Sequence, residues 1–411
     1  MARVAVIGAG IIGSAAATWL IDEGHEVTVF EPDIDGLPTS SGNAALLALP
    51  EIAPIASPGI FTTVPRWLLD PLGPLTVRWT DVPALTPWLL AFLMNANSRQ
   101  EARTRLALTG LMKTALADHQ ELGRKAGVSG HLRQTGFVSV HDDEASTAAA
   151  VHEAEKVRSA LGYEFERISP EAARQLVPQL EGPFFGAVRQ PVYWMVSNPL
   201  TVLRRYQAFW RERANFVASR AQALRQTESG IVVVAGNGES AFDKVVVASG
   251  VWSRELVRGL GLRILLETER GYNTTYGFTE LGWNLPMPVG FGDHGFIASP
   301  LVDGLRVGGA VELAKPQTSP NFGRAKAMRT KMRRYVPSLP EGGKEWMGRR
   351  PSTPDSVPVI SRHPKDERIV FAFGHGHLGL TLSAVTARRV ADLVAGRDTA
   401  DLSPFDIARF Q

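Results

Sequence analysis

The sequence predicts an α/β fold made of two interleaved domains, on three observations. The chain opens on a strand, a glycine turn and a helix, "RVAVIGAGIIGSAAATWL", at residues 3–20. A continuously apolar run, "VVVASG", ends in small residues at 245–250. A second strand–glycine–helix passage, "FAFGHGHLGLTLSA", stands at 371–384.

In the opening unit Val4, Val6 and Ile7 make a short buried strand. Gly8, Gly10 and Gly13 follow at G-x-G-x-x-G spacing, and Ile12, Ala15, Ala16, Trp19 and Leu20 recur at helical spacing. Gly24 ends the helix, "HEVTVFE" is the second strand, and Glu31 stands at its end. Such a unit is Rossmann-like and suits a dinucleotide. Gly8 permits the tight turn, Gly10 lets the backbone approach a pyrophosphate, and Gly13 lets helix and strand pack closely. The helix start at Ile11 and Ile12 offers free N–H groups to phosphate. Glu31 accepts from ribose hydroxyls and repels a 2′-phosphate. After Glu31 comes "PDIDGLPTSSGNAALLAL". Ser40, Ser41, Gly42, Asn43 and Ala44 are small or polar, suited to a second phosphate or a flavin ring. A nicotinamide enzyme would more often continue with another βα unit, so FAD is favoured over NAD. The plain alternative for this stretch is a flexible surface loop.

Residues 51–95 are rich in proline and tryptophan and read as irregular covering structure with short helices. A helix is predicted over 98–126, with His119 as a residue of its apolar stripe. "TGFVSVH" is a strand and 143–162 a helix. No histidine–acid pair has metal-ligand spacing, so no metal is expected. Asn198 and Pro199 open a further helix. The apolar strand 245–249 suits a parallel sheet, and its small end at Ala248, Ser249 and Gly250, before Trp252, leaves room for a ligand. Residues 261–345 read as a second sheet, followed by a basic helix at 321–335 with a solvated face. The expected division is a cofactor domain from 1–60, 192–260 and 346–411, with a substrate domain from 61–191 and 261–345.

At the C-terminal junction Gly374, Gly376 and Gly379 precede an amphipathic helix predicted from His377 to Gly396. A helix start donates N–H groups to negative charge, and a reduced flavin carries charge at its N1/C2 carbonyl edge. The junction is therefore expected to floor a flavin site.

The chain has 411 residues, too many for one ordinary core. A net charge of +3, with no basic run, gives no case for nucleic acid. There is no cysteine, which removes disulfides, thiolate nucleophiles and a cysteine-linked cofactor. The N-terminus reads as a strand and not a signal peptide, so a cytoplasmic protein is expected. The apolar run "ALTPWLLAFLM" at 84–94 is about half the roughly 20 residues that span a bilayer. It reads either as a buried helix or as a shallow peripheral contact with the inner face of the membrane.

Taken together, "VAVIGAGIIG", "TSSGNAALLALPEIAPIASPGI", "VVVASGVWS", "ETERGY", "GRRPSTPDSVPVI" and "FAFGHGHLGLTLSAVTARRVADL" make the chain similar to the FAD-dependent D-amino acid dehydrogenases. That family lies in the wider group of glycine oxidase, sarcosine oxidase and D-amino acid oxidase. The resemblance implies non-covalent FAD and a substrate domain built on a mixed β-sheet. It puts the carboxylate-binding arginine at Arg350 and a pocket-lining residue at Tyr272. It wraps Gly374–Thr381 around the flavin, which includes Gly376, Leu378, Gly379 and Leu380. His375 or His377 faces the ring or substrate, or else packs. Ala221, Ser249, Gly250 and Trp252 complete the implied cofactor contacts, and Glu269 and Arg270 are sheet or inter-domain residues. The usual N-A-G is N-A-A at Asn43–Ala45, which weakens the case for close backbone approach at Ala45, and I-S-R replaces I-G-R at 360–362. The implied activity is oxidative deamination of D-amino acids, cyclic ones such as D-proline included, by hydride transfer to the flavin and then to a quinone-like acceptor. Rival readings are an oxygen-using oxidase of glycine or sarcosine type, a nicotinamide-dependent dehydrogenase, and a flavoprotein subunit of a larger complex.

Overall fold

A computed structural model describes residues 1–60, 73, 75–236 and 238–411. The strand Arg3–Ile7 is buried on both faces, as its apolar run requires. Val4 and Val6 pack with Ala15 and Ala16 on one side, and Ala5 and Ile7 with Ile231 and Val233 on the other. A six-stranded sheet forms around it, in the order 215–217, 26–30, 3–7, 244–247, 366–373, 359–363. The first five strands are parallel and the last is antiparallel. Helices Ile11–Asp22, Pro199–Arg211 and Ser383–Ala395 contribute to one covering layer. The other layer contains a small antiparallel sheet at 221–226, 231–235 and 238–242, with helix Ser253–Gly259. Asn237, in the expected hairpin turn, lies outside the described residues. The strands beside Arg3–Ile7 are 26–30 on one side and 244–247 on the other. Chain order therefore reverses at its C-terminal end, where parallel sheets place ligands.

The second sheet has nine strands: 344–352, 267–277, 304–313, 296–301, 289–291, 137–141, 186–190 and 166–168, with 75–77 beside 304–313. It is mixed, because 289–291 with 137–141 and 75–77 with 304–313 are parallel pairs among antiparallel ones. One face buries Met328, Met332 and Tyr335 of helix Gly323–Tyr335. That helix is less solvated than its composition predicts. Arg329 donates to Thr274 and Glu345, and Arg333 caps the carbonyls of Leu339 and Pro340.

Three expectations change. Strand Lys344–Ser352 belongs to the larger sheet, so the boundary expected at 346 falls inside a strand and Arg350 stands on the second sheet. The C-terminal helix starts at Ser383, not His377. Gly374 and Gly376 have φ of +80° and +52°, which a right-handed helix does not accommodate, and Gly376–Leu378 forms a 3₁₀ turn instead. Within 51–95, a regular helix spans Val82–Asn95, while 61–72 lies outside the described residues. That helix buries Leu85 and Trp88 against Leu313 and exposes Leu90, Leu93 and Met94. No described helix is long and apolar enough to cross a membrane.

Candidate functional site

The C-terminal ends of the parallel strands and the open face of the large sheet enclose a cavity of about 1520 Å³. That exceeds an ordinary small-molecule pocket of roughly 300–1,000 Å³, leaving room for a dinucleotide and a substrate together.

At the nucleotide end the three motif glycines have different surroundings. A methyl on Gly8, at φ +103°, would lie 2.7 Å from the Ala248 carbonyl oxygen. One on Gly13 would lie 1.9 Å from the Gly8 carbonyl oxygen. One on Gly10 would meet nothing within 4 Å, because Gly10 faces the cavity. Two glycines are thus closed by backbone, and the third leaves its side open where a pyrophosphate passes. Ile11 and Ile12 line this end, and Gly13 stands behind it. Glu31 accepts from Ala9 N at 2.9 Å and from Asp33 N at 3.2 Å, which holds its carboxylate at the cavity wall with acceptor capacity to spare. These donors and openings fit an adenosine diphosphate moiety.

Sequence reasoning missed the residues that brace this end. From helix Pro199–Arg211, whose first turn Asn198 caps, Gln207 donates to Ala9 O at 3.0 Å. Arg204 donates to the carbonyls of Ile34, Asp35 and Gly36 and to Gln207. Their i, i+3 spacing on one helix face was the available signal. Ala221, Ser249, Gly250 and Trp252 line the cavity, with Arg220 over the Trp252 ring.

Further in, Ser40, Asn43 and Ala44 line the cavity, but Ser41 does not. Its hydroxyl donates to Pro38 O at 2.8 Å, and its carbonyl accepts from the buried Arg306, which also holds Asn43 O at 2.7 Å. Ala45 takes φ +61°, in the left-handed region, where the related pattern has glycine. Asn43 Oδ1 accepts from Ala45 N, and Ala45 O accepts from Val196 N, and these two bonds hold it there. Gly376, Gly379, Leu380 and Thr381 line the opposite wall, while Gly374 and Leu378 are set back. The Leu378 side chain packs in the core instead of touching the site. The backbone N–H groups of Gly379, Leu380 and Thr381 have no hydrogen-bond partner among the described residues. Behind them His119, in the predicted helical stripe, contacts the Leu380 and Thr381 carbonyls through Nε2 at 3.1 and 3.0 Å. Those carbonyls are held away from the cavity, leaving the N–H groups to it. This is the donor set that a flavin carbonyl edge needs, though a turn supplies it rather than the expected helix start.

The other end of the cavity lies on the large sheet. Arg350 passes over Gly271, where a methyl would lie 2.2 Å from its Nη2. Its Nη1 donates to Ala310 O at 3.2 Å, and no carboxylate lies within ion-pair distance among the described residues. Glu269, opposite Arg350 in the strand register, is buried, and that burial pushes its carboxyl up against the pull of Arg350. Burial likewise pushes the Arg350 guanidinium down. The His377 ring opens on the cavity inside the protein envelope; desolvation, then Arg350, lowers its pKa to about 4. His375 is buried, contacts Thr386 Oγ1 at 2.9 Å, and is lowered to about 3 by desolvation. His375 lines the cavity wall with its Nε2 engaged by Thr386, and His377 presents a neutral ring. Tyr272 lines the cavity with its ring, but its hydroxyl donates to Glu312 and accepts from Asn321 N, so it is not offered to a ligand. Arg270 is fully buried and clamps the Lys315, Thr318 and Ser319 carbonyls. Trp346, unforeseen, lies against both Gly42 and Gly348, at ring distances of 2.1 Å from a methyl placed on either. It joins the large sheet to the Thr39–Gly42 turn.

The sequence profile of the DAO family, described as FAD dependent oxidoreductase, matches residues 3–393. Among curated proteins, the chain is 33% identical to a D-amino-acid oxidase of Bradyrhizobium diazoefficiens, over 99% of both chains. It is 31% identical to a D-amino acid dehydrogenase of Paramagnetospirillum magneticum, over 97% of this chain and 96% of the other. Among solved structures, glycine oxidase from Geobacillus kaustophilus has a TM-score of 0.75 at 24% identity, covering 100% of this chain and 99% of that one. At these identities the solved structure supports the fold, and the profile together with the curated relatives establishes descent: the chain belongs to the DAO family of FAD-dependent oxidoreductases.

Proposed function

We propose that this enzyme oxidises D-amino acids at the Cα–N bond. The imino acid product hydrolyses to a 2-oxo acid and ammonia. Cyclic substrates such as D-proline or hydroxy-D-proline would give cyclic imines. The observation that carries the reading is Arg350, a guanidinium without a carboxylate partner among the described residues, facing the cavity beside the flavin-edge donors. A guanidinium pairs with a carboxylate in a bidentate, planar way, which fixes the substrate's orientation as well as its affinity.

FAD, when bound, accepts the hydride that leaves the α carbon. The chain's own residues do the positioning. Arg350 holds the carboxylate. His377, its pKa lowered by desolvation and by Arg350, adds no second cation there at neutral pH, so it does not compete for the carboxylate or repel a protonated amine. The unpartnered N–H groups of Gly379, Leu380 and Thr381 are fixed in place before any charge arrives and cost no reorganisation when it does. The proposed acceptor is quinone-like. Trp79, Leu90 and Met94, exposed on or beside the helix that walls the cavity, would meet it or a membrane surface. The relative named D-amino-acid oxidase favours oxygen instead. Peroxide yield per flavin turnover separates the two.

Replacing Arg350 with leucine removes a charge-assisted pair of roughly 1.5–3 kcal/mol, so kcat/KM should fall about 10- to 150-fold, with flavin content unchanged. Kinetic constants near those of the parent enzyme would refute the assignment.

A further inference from the structure

The cavity has a second charged wall that the proposed reaction does not use. Glu51 follows the segment that crosses the flavin end and opens on the cavity. Its Oε1 accepts from the Tyr193 hydroxyl at 3.1 Å. Tyr193 is itself buried and stacks on Phe137, with ring centroids 4.6 Å apart, so the donor is rigid. Glu51 has no cation within ion-pair distance among the described residues, and its Oε2 has no partner. The basic group that acts on it, Arg105, is already spent. Its Nε lies 2.9 Å from Glu101, and Nη1 and Nη2 lie 2.5 and 2.7 Å from the two oxygens of Glu153. Glu153 also lines this part of the cavity. The surrounding wall is largely apolar, with Phe137, Ala154, Val157, Val188 and Ile297 beside the neutral Gln190.

Glu51 is exposed to the cavity, so a substrate that fills the space strips water from its carboxylate, a loss that a substrate cation offsets. Enclosure pushes the Glu51 carboxyl up, Tyr193 and Arg105 pull it down, and Glu153 pushes it up further. Among the described residues none brings a cation to it, and Glu51 lines the same cavity as Arg350. The cavity thus has two poles: Arg350, an unpaired cation on the large sheet, and Glu51, an unpaired anion on the opposite domain's segment.

We propose that Glu51, oriented by Tyr193, forms the side-chain subsite of the substrate pocket and selects amino acids with a cationic side chain, of the D-lysine and D-arginine class. This rests on the D-amino acid reading above. An ammonium or guanidinium would pair with Oε2 while Arg350 holds the carboxylate at the other end. Neutral side chains of the same length would leave Glu51 unpaired, and cyclic amino acids would not present a charge to it. The site selects by leaving its own charge unsatisfied with the wrong substrate.

The test compares D-lysine and D-arginine with the neutral, similar-length D-norleucine, using the flavin-loaded enzyme. Anaerobic bleaching of the flavin and steady-state kcat/KM are measured for each. The parent enzyme should prefer the cationic substrates. Glu51→Gln, which keeps shape and removes charge, should lower the cationic-to-neutral ratio tenfold or more, through KM. Tyr193→Phe should lower it by a smaller factor. A lesion that only disturbs structure lowers both substrates alike and leaves the ratio where it was, so an unchanged ratio overturns the proposal. So does a parent enzyme that bleaches with D-norleucine as readily as with D-lysine. If no D-amino acid bleaches the flavin, the D-amino acid reading itself falls and takes this subsite with it.

Discussion

At the scale of single residues, the motif glycines show how identical letters carry different physical loads. Gly13 has backbone where a side chain would go, and Gly10 has open cavity. Gly13→Ala should therefore destabilise the fold by about 3 kcal/mol or more, since neither strand nor helix can move aside. Gly10→Val should fold, because its side chain enters free space, but purify without flavin. Thermal unfolding and the 450 nm flavin band of the two variants check this; a Gly10→Val protein as yellow as its parent would contradict the placement. These residues were legible because the motif is local: strand, turn and helix lie within twenty residues. Arg350 was legible through the similarity of its flanking sequence. Glu51 stood inside a stretch already tied to the related enzymes and still went unremarked. Its meaning depends on Tyr193 and on the absence of a nearby cation among the described residues, and both are facts of tertiary structure. Leu378 and Ser41 erred in the other direction. They neighbour cavity residues in sequence, but the turn geometry directs one into the core and the other onto Pro38.

At the scale of elements, the expected helices over 98–126 and 143–162 appear as Ser98–Lys125 and Glu144–Leu161, each with its N-cap side chain bonded. Periodicity and caps are properties of contiguous residues, so the sequence exposes them. The start of the last helix was misplaced because an amphipathic pattern continues through a 3₁₀ turn almost unchanged, while positive φ at Gly374 and Gly376 does not show in the pattern. The domain boundary near 346 failed for a related reason. Strand pairing, not composition, assigns Lys344–Ser352 to the large sheet. The helix Pro199–Arg211 was found but not its use. It is a brace, with Arg204 holding three successive carbonyls of the loop after Glu31. Arg204→Ala should loosen that loop and weaken FAD retention about tenfold or more, with little change in helix content, since only loop contacts are lost. Flavin release on dialysis, followed with circular dichroism on the same sample, would show it.

At the scale of the whole molecule, the two sheets flank one cavity, and Arg306, Asn273 and Trp346 join the large sheet to the 39–43 segment beside it. A ligand that fills the space between them binds the folded chain and not the unfolded one. FAD at a hundred times its Kd should add about 2.7 kcal/mol, which for a chain of this length raises Tm by roughly 3 °C. A flavin-stripped protein melting at the holoenzyme's temperature would argue against a site shared between the sheets. The parallel sheet has one more property. Its centre pairs residues 3–7 with 244–247, and those with 366–373, the last long strand of the chain. The 376–381 turn, with its donors for the flavin edge, comes later still. In chain order the nucleotide motif at 8–13 therefore comes well before the 244–247 strand beside it and the 376–381 turn that forms the far wall. A chain cut between these segments should keep the motif yet lose the flavin, because no contiguous stretch of it forms both walls.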